Sequence, residues 1–194
     1  MAAAFLIGGR GDRGVRFEVA SAGLLPGGRV PPPEVIETMD VYGLDLRGHR
    51  SRQLTVDLLG PADLILGMAR RHVQEAVLLD GAVWPRAFTL KEFVRRGEAV
   101  GPRPDRVAVR SWVETVHAGR TRAELAGRSS TDDVADPFGG PPEGYRQTGA
   151  ELGVLVTRLS ALLRPDVPSP LGPPIPVPEL VDPATLEGPA AERQ

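Results

Sequence analysis

Residues 62–79 read ADLILGMARRHVQEAVLL, and this stretch sets the class of fold. Its first seven residues follow Gly60-Pro61 and form a short apolar run, which predicts a buried β-strand. From Arg70 to Leu79 the apolar residues recur at helical intervals, which predicts a helix directly after the strand. A strand followed at once by a helix is typical of one unit of an α/β domain.

Further strands and helices are predicted on both sides of this unit. On the N-terminal side, residues 15–21 alternate in polarity, which predicts a half-buried strand, and residues 34–42 predict a helix after three prolines. On the C-terminal side, residues 82–88 predict a weaker strand, and Thr89 with Glu92 forms a capping box that opens another helix. This alternation predicts a single α/β domain with a largely parallel sheet.

The remaining segments are interpreted from their composition and periodicity. Residues 1–7 read as a piece of helix without a capping residue, and residues 143–163 predict the longest helix because their leucines and valines share one face. Residues 97–133 are rich in Arg and Gly, which indicates a surface insertion with short helices at the capping patterns Ser111/Glu114 and Thr121/Glu124.

Residues 164–194 contain nine prolines and no aromatic residue, so they cannot bury enough apolar surface to offset the entropy of ordering. The sequence therefore predicts one domain over 1–163, with an insertion at about 97–133, and an extended, disordered tail over 164–194.

Composition and charge restrict the classes of function. The net charge of the 194-residue chain is -2 and no Lys/Arg block stands clear of acidic neighbours, which argues against a nucleic-acid partner. No apolar run reaches the roughly 18 residues of a membrane span, and no secretory signal pattern is present, so we expect a cytoplasmic protein that does not bind membranes. Lys91 is the only lysine, which indicates a GC-rich, bacterial genome. The absence of cysteine excludes disulfides, zinc–thiolate sites and thiol chemistry by this chain alone.

Four segments, in this order, resemble the low molecular weight protein-tyrosine-phosphatase family: FEVASAG at 17–23, YGLD with HRSRQ at 42–53, ADLILGM at 62–68, and DPFG at 136–139 followed by Tyr145 and the last helix. The resemblance implies a three-layer α/β/α sandwich with a four-stranded parallel sheet. It also implies hydrolysis of phosphotyrosine in proteins, or of small phosphomonoesters, through a phosphocysteine intermediate and without a metal or cofactor.

The resemblance assigns roles to individual residues. It makes Asp136 the general acid and then the general base, and Phe138 the aromatic wall of the substrate pocket. Gly139 stands where many family members carry a second aromatic residue. His49 resembles the histidine that supports the phosphate-binding loop by hydrogen bonding, and Ser21 lies in the segment that resembles the one next to that loop; neither is expected to contact the phosphate.

Other candidate residues receive no role from the sequence. His72 and His117 have no counterpart in the family and are interpreted as solvent-facing helix residues. Asp132 and Asp133 precede Asp136 closely, but three acids in a polar loop are usually solvated, so no metal site is predicted.

The family's chemistry also requires groups that this sequence lacks. Family members open with a strand running into a loop of the form Cys-x-x-Asn-x-x-Arg-Ser-Pro, whose thiolate attacks phosphorus and whose arginine holds the phosphate oxygens. Residues 1–4 resemble the residues that directly follow that Ser-Pro. The chain as written is therefore expected to be inactive, with three of the four strands and a gap of about 10 Å beside the 15–21 strand.

Three accounts of this difference remain open. In the first, Met1 is an internal methionine and the strand and loop are encoded upstream. In the second, the chain is a non-catalytic pseudophosphatase or interaction module. In the third, the chain is an unrelated α/β domain whose motifs match by chance. Arsenate reduction is a minor alternative for the complete product, although arsenate reductases of this type need further cysteines downstream of the loop.

Overall fold

The computed structural model describes residues 1–8, 17–127 and 130–164, and in these ranges the chain forms an α/β fold. Two short parallel strands, β1 (Ile65–Gly67) and β2 (Ala87–Thr89), pair with Ile65 opposite Ala87. The helices are, in chain order, α1 (Ala2–Gly8), α2 (Pro33–Asp40), α3 (Val56–Leu59), α4 (Arg70–Leu79), α5 (Leu90–Val100), α6 (Val109–His117), α7 (Arg122–Ala126) and α8 (Pro142–Leu163).

The strand and helix predicted over residues 62–79 are confirmed as β1 and α4. The predicted helix over 34–42 is α2, and that over 143–163 is α8. The Thr89 hydroxyl accepts a hydrogen bond from the Glu92 N–H at 3.2 Å, so Thr89 caps the start of α5 as predicted. Local patterns of periodicity and capping therefore located these elements correctly.

The strand predicted over residues 82–88 is mostly wrong. Gly81–Arg86 form a 3₁₀ helix, and only Ala87–Thr89 continue as a strand. Pro85 lies inside this turn of helix, where it needs no N–H, whereas in a paired strand it would remove a hydrogen bond from the ladder.

The strand predicted over residues 15–21 is also not observed. Residues 15 and 16 lie outside the described residues, and residues 17–22 form no strand. One isolated parallel bridge, between Gly23 and Gln53, follows them. A strand requires a neighbour to complete its hydrogen bonds, and the neighbour implied by the resemblance is not in this sequence. The described residues thus contain one sheet of two strands, β1 and β2. Because the 15–21 segment forms no ladder among them, no strand borders the gap that was predicted beside it.

The core lies between the sheet and α8, and it includes α6. Phe88, Phe93 and Leu159 are almost completely buried there, together with Trp112 and Val113 of α6. The description of residues 97–133 as a surface segment is therefore wrong for α6, although their status as an insertion stays a prediction.

The capping patterns in this segment gave mixed results. α6 begins after Ala108, so the pattern Ser111/Glu114 does not open a helix, whereas Thr121 with Glu124 does form the capping box of α7. The predicted tail, apart from Arg164, lies outside the described residues. None of the described helices is both long enough and apolar enough to span a membrane.

Gly149 allows α8 to approach α2 closely. A Cβ atom at this position would lie 2.7 Å from the Thr38 Cγ2 atom, and the Thr38 hydroxyl is held by the Glu34 carbonyl at 2.7 Å. We expect Gly149→Ala to lower the free energy of unfolding by about 1 kcal/mol, because overpacking outweighs the gain in helix propensity. In a Thr38→Ser background, which lacks the methyl group, the same substitution should be neutral or stabilising. Urea unfolding of the four proteins tests this, and equal effects in both backgrounds would contradict the packing argument.

Candidate functional site

The loop that carries Asp136 is held at the carboxyl end of β1. The Val134 N–H donates a hydrogen bond to the carbonyl of Met68, the residue after β1, at 2.7 Å. The Asp133 carboxylate accepts a hydrogen bond from the Arg70 N–H at 2.7 Å and thereby caps the N-terminus of α4. Ligand sites of α/β folds lie at this edge of the sheet.

Two further hydrogen bonds join the loop to α8. The Thr148 hydroxyl donates to the Ala135 carbonyl at 3.2 Å, and the Tyr145 hydroxyl accepts from the Gly139 N–H at 3.2 Å. Gly139 has a φ of 76°, a conformation that side chains disfavour, which gives a local reason for glycine here instead of an aromatic residue. The loop is therefore fixed on both sides of Asp136.

Asp136 and Phe138 both face solvent on this loop. The side chain of Asp136 is 63% exposed, and the Phe138 residue is 76% exposed. One carboxylate oxygen of Asp136 accepts a hydrogen bond from the Phe138 N–H at 3.2 Å, so the turn itself orients the carboxylate. In its protonated form, an exposed carboxyl group beside an exposed aromatic ring can donate a proton to a ligand that rests on the ring.

An open cleft of about 540 Å³ lies between this turn and α8, within the size range of small-molecule sites. The turn from Ala135 to Pro141 forms one side, and Gln147 and Glu151 of α8 contribute to the other. Glu151 is paired with Lys91 at 2.6 Å, so the charge at that end of the cleft is balanced.

Arg71 and His72 lie beside Asp136, although the sequence assigned neither a role there. An Nη2 of Arg71 lies 3.3 Å from the Asp136 carboxylate, an exposed ion pair of little energetic worth. Burial lowers the pKa of His72, and the neighbouring Arg71 lowers it further, against the opposite effect of Asp136 and Asp133. The lowered pKa favours the neutral imidazole. Arg71 and Asp136 are 65 positions apart in the sequence, so no local sequence pattern could have predicted their contact.

The His72 ring takes part in two polar contacts that depend on its tautomer. Nδ1 lies 3.2 Å from the Ala69 N–H at the start of α4, and Nε2 lies 3.3 Å from the Nε of Arg71. A neutral imidazole has one acceptor nitrogen, so a single tautomer makes only one of these bonds.

The other predicted site residues lie elsewhere or have other partners. The His49 residue is largely exposed. Its pKa is lowered first by the slight burial of the ring and then by the positive charges of the N-terminal ammonium group, Arg52 and Arg50. Among the described residues, no hydrogen bond joins His49 or Ser21 to the Asp136 loop, whereas Asp136 and Phe138 lie on that loop together.

The carboxylates that precede Asp136 serve separate partners. Asp132 pairs with Arg95 at 3.1 Å, whereas Asp133 caps α4. Within ranges 1–8, 17–127 and 130–164, no three His, Asp or Glu residues form a group that could hold a metal ion.

Known proteins resemble this chain in sequence and structure. The model of the family described as low molecular weight phosphotyrosine protein phosphatase matches residues 1–101. The protein-arginine-phosphatase of Bacillus subtilis (strain 168) is 30% identical over 155 residues, which are 79% of this chain and 80% of the relative. That of Geobacillus stearothermophilus is 31% identical over 117 residues, 60% of this chain and 56% of the relative.

Solved structures of similar proteins agree with these relatives. The YwlE arginine phosphatase from Geobacillus stearothermophilus superposes with a TM-score of 0.58 at 29% identity, over 82% of this chain and 80% of that one. The low molecular weight protein tyrosine phosphatase from T. tengcongensis gives a TM-score of 0.52 at 30% identity, over 73% and 75% of the two chains.

Proposed function

The chain belongs to the low molecular weight phosphotyrosine protein phosphatase family, and we propose that it contributes the proton-donating side of a phosphatase site, with Asp136 as general acid and Phe138 as substrate wall. The observation that carries this proposal is the Asp136 loop, which is fixed to β1, α4 and α8 while its carboxylate and ring stay exposed beside the cleft. Asp136 donates a proton to the leaving atom and then takes one from the water that attacks the phosphoenzyme.

The nucleophile of this mechanism is not among the residues of the chain. The family's reaction requires a thiolate, and the sequence contains no cysteine. The 194-residue chain therefore should not hydrolyse phosphoesters by the thiol route, which agrees with the expectation from the sequence. His49 and Ser21 keep their proposed role as supports for the phosphate-binding loop when such a loop is supplied.

The substrate we propose is phosphoarginine in proteins, since both curated relatives are named protein-arginine-phosphatase. Cleavage of its P–N bond releases a guanidine, whose conjugate acid has a pKa above about 12, so the nitrogen must be protonated as it leaves. In this proposal Asp136 supplies that proton. The exposed Phe138 ring offers a face on which a planar guanidinium can stack.

Phosphotyrosine is the second candidate substrate, as the family resemblance implied. The description of the matching family names it, and the Phe138 ring can also support a phenyl group. The phenol of tyrosine has a pKa of about 10, so its phenolate leaves more easily than a guanidine and its release depends less on a proton donor. The two candidates are therefore separable by their dependence on Asp136.

A fusion protein tests the role of Asp136. A strand and a loop of the family form Cys-x-x-Asn-x-x-Arg-Ser-Pro would be joined directly before Met1, and kcat would be measured with phosphoarginine, phosphotyrosine and p-nitrophenyl phosphate. We expect Asp136→Asn to lower kcat for phosphoarginine by about 10²–10⁴-fold, and to affect p-nitrophenyl phosphate least because p-nitrophenolate leaves most easily.

Asp132→Asn is the matched control, because Asp132 lies in the same segment but pairs with Arg95 and does not line the cleft. It should leave kcat unchanged for all three substrates. Equal losses in the two variants would remove Asp136 from its proposed role, and a folded but inert fusion would favour the interaction-module account.

We further propose that the protein acts in the bacterial cytoplasm. Its sequence is typical of a GC-rich bacterial genome, and its curated relatives are from Bacillus subtilis and Geobacillus stearothermophilus.

A further inference from the structure

Two stretches without acidic residues lie side by side at the surface. Residues 19–33 and 46–56 contain no Asp or Glu; the first carries the exposed Arg29, and the second carries the exposed Arg47, Arg50 and Arg52. Five hydrogen bonds of 2.8–3.1 Å join the two stretches. The Gly23 N–H donates to the Arg52 carbonyl, and the Leu54 N–H donates to the Gly23 carbonyl. The N–H groups of Gly28 and Arg29 donate to the carbonyl and the hydroxyl of Ser51, respectively, and the Ser51 N–H donates to the Arg29 carbonyl.

Three arginines on this surface have no carboxylate partner among the described residues: Arg29, Arg50 and Arg52. The Arg50 guanidinium donates only to the carbonyls of Arg47 and His49. Arg47 differs from them, because it is paired with Asp40 at 2.5 Å and with Asp45 at 3.0 Å. We call Arg29, Arg50 and Arg52 the basic platform.

The backbone under the basic platform is fixed by two glycines. A Cβ atom at Gly27 would lie 3.0 Å from the Ser51 carbonyl oxygen, so a side chain there would crowd the Ser51 backbone. Gly28 has a φ of 86°, which other residues disfavour. A surface that is already ordered loses little conformational entropy when a partner binds.

We propose that the basic platform binds an acidic segment of a partner polypeptide. Its unpaired guanidiniums can each form a two-pronged hydrogen bond with a carboxylate. The aliphatic residues Leu25 and Val30 are 61% and 62% exposed on either side of Arg29 in the chain, and they can contact aliphatic side chains of the same segment.

Other anionic partners fit this surface less well. Neither stretch contains a Phe, Tyr or Trp on which nucleic-acid bases could stack. Anionic membranes are bound by clusters of about four to eight Lys/Arg residues or by basic amphipathic helices, whereas the platform has three unpaired arginines on loops.

The test measures binding of the 194-residue chain to a fluorescein-labelled 12-residue peptide of Glu with Leu at every fourth position. We expect fluorescence anisotropy to show binding that weakens as salt rises. The variant Arg29→Glu/Arg50→Glu/Arg52→Glu should bind about tenfold more weakly or worse, and the corresponding Arg→Gln variant should lose affinity in the same direction.

The control variant Arg110→Glu/Arg122→Glu/Arg146→Glu has the same net charge as the Arg→Glu variant of the platform but changes arginines elsewhere. Its affinity for the acidic peptide should stay within about twofold of that of the unchanged chain. Circular dichroism would show that the variants fold. Equal losses in the two Glu variants, or equal binding of a Lys/Leu peptide, would overturn the proposal. So would failure to bind the acidic peptide while platform-dependent binding to anionic vesicles or poly(U) RNA is observed.

Discussion

Replacing Glu92 by Ala should lower the free energy of unfolding by about 3–5 kcal/mol, because it leaves the buried cation of Arg120 without its counter-charge. The Arg120 side chain is only 2% exposed, and its Nε and Nη2 atoms lie 2.8 and 3.2 Å from the two carboxylate oxygens of Glu92. The guanidinium lies between the rings of Trp84 and Phe88, at 4.0 and 3.8 Å from their centroids.

Glu98→Ala is the matched control for that substitution. Glu98 also sits on α5 and also makes a two-pronged contact with an arginine, at 2.7 and 2.6 Å to Arg158, but both side chains are more than 40% exposed. Glu98→Ala should lower the free energy of unfolding by no more than about 1 kcal/mol. Urea unfolding measures both values, and a cost for Glu92→Ala as small as that for Glu98→Ala would contradict the account of the core. The double variant Glu92→Leu/Arg120→Leu should be less damaging than Glu92→Ala, because it buries no unpaired charge.

The fusion protein should exceed the 194-residue chain in phosphatase activity by about 10³-fold or more, since groups that act as a unit lose most of their effect when the nucleophile is missing. Asp136 can protonate a leaving group only when a nucleophile attacks phosphorus at the same time. In the proposed function the chain supplies Asp136, Phe138 and the cleft, and its sequence contains no cysteine thiol.

Local sequence patterns predicted the elements whose stability is local. α4 and α8 were found because their apolar residues repeat at helical spacing, and α5 because its first turn carries its own cap. The 15–21 strand was not confirmed because a strand depends on a neighbour that periodicity cannot supply.

The elements that were misread depend on distant contacts. α6 looked like part of a surface segment because its neighbours are rich in Arg and Gly, yet Trp112 and Val116 are buried in the core. Arg120 reads as a surface charge in the sequence, but its partner Glu92 is 28 positions away.

The candidate site was predictable only where a motif carries it. The DPFG motif located Asp136 and Phe138, and the structure places both at the carboxyl end of β1, with their roles still predictions. Arg71 was missed because its contact with Asp136 joins two separate parts of the chain. The basic platform was missed for the same reason, since no single run shows that two acid-free stretches meet.

The most direct measurement is release of inorganic phosphate from phosphoarginine by the purified 194-residue chain, beside the fusion that carries the thiol loop. The chain alone should release phosphate at the rate of buffer, and the fusion should turn over the substrate in a manner that depends on Asp136. Turnover by the chain alone that is lost in Asp136→Asn would contradict the claim that this polypeptide provides the acid without the nucleophile.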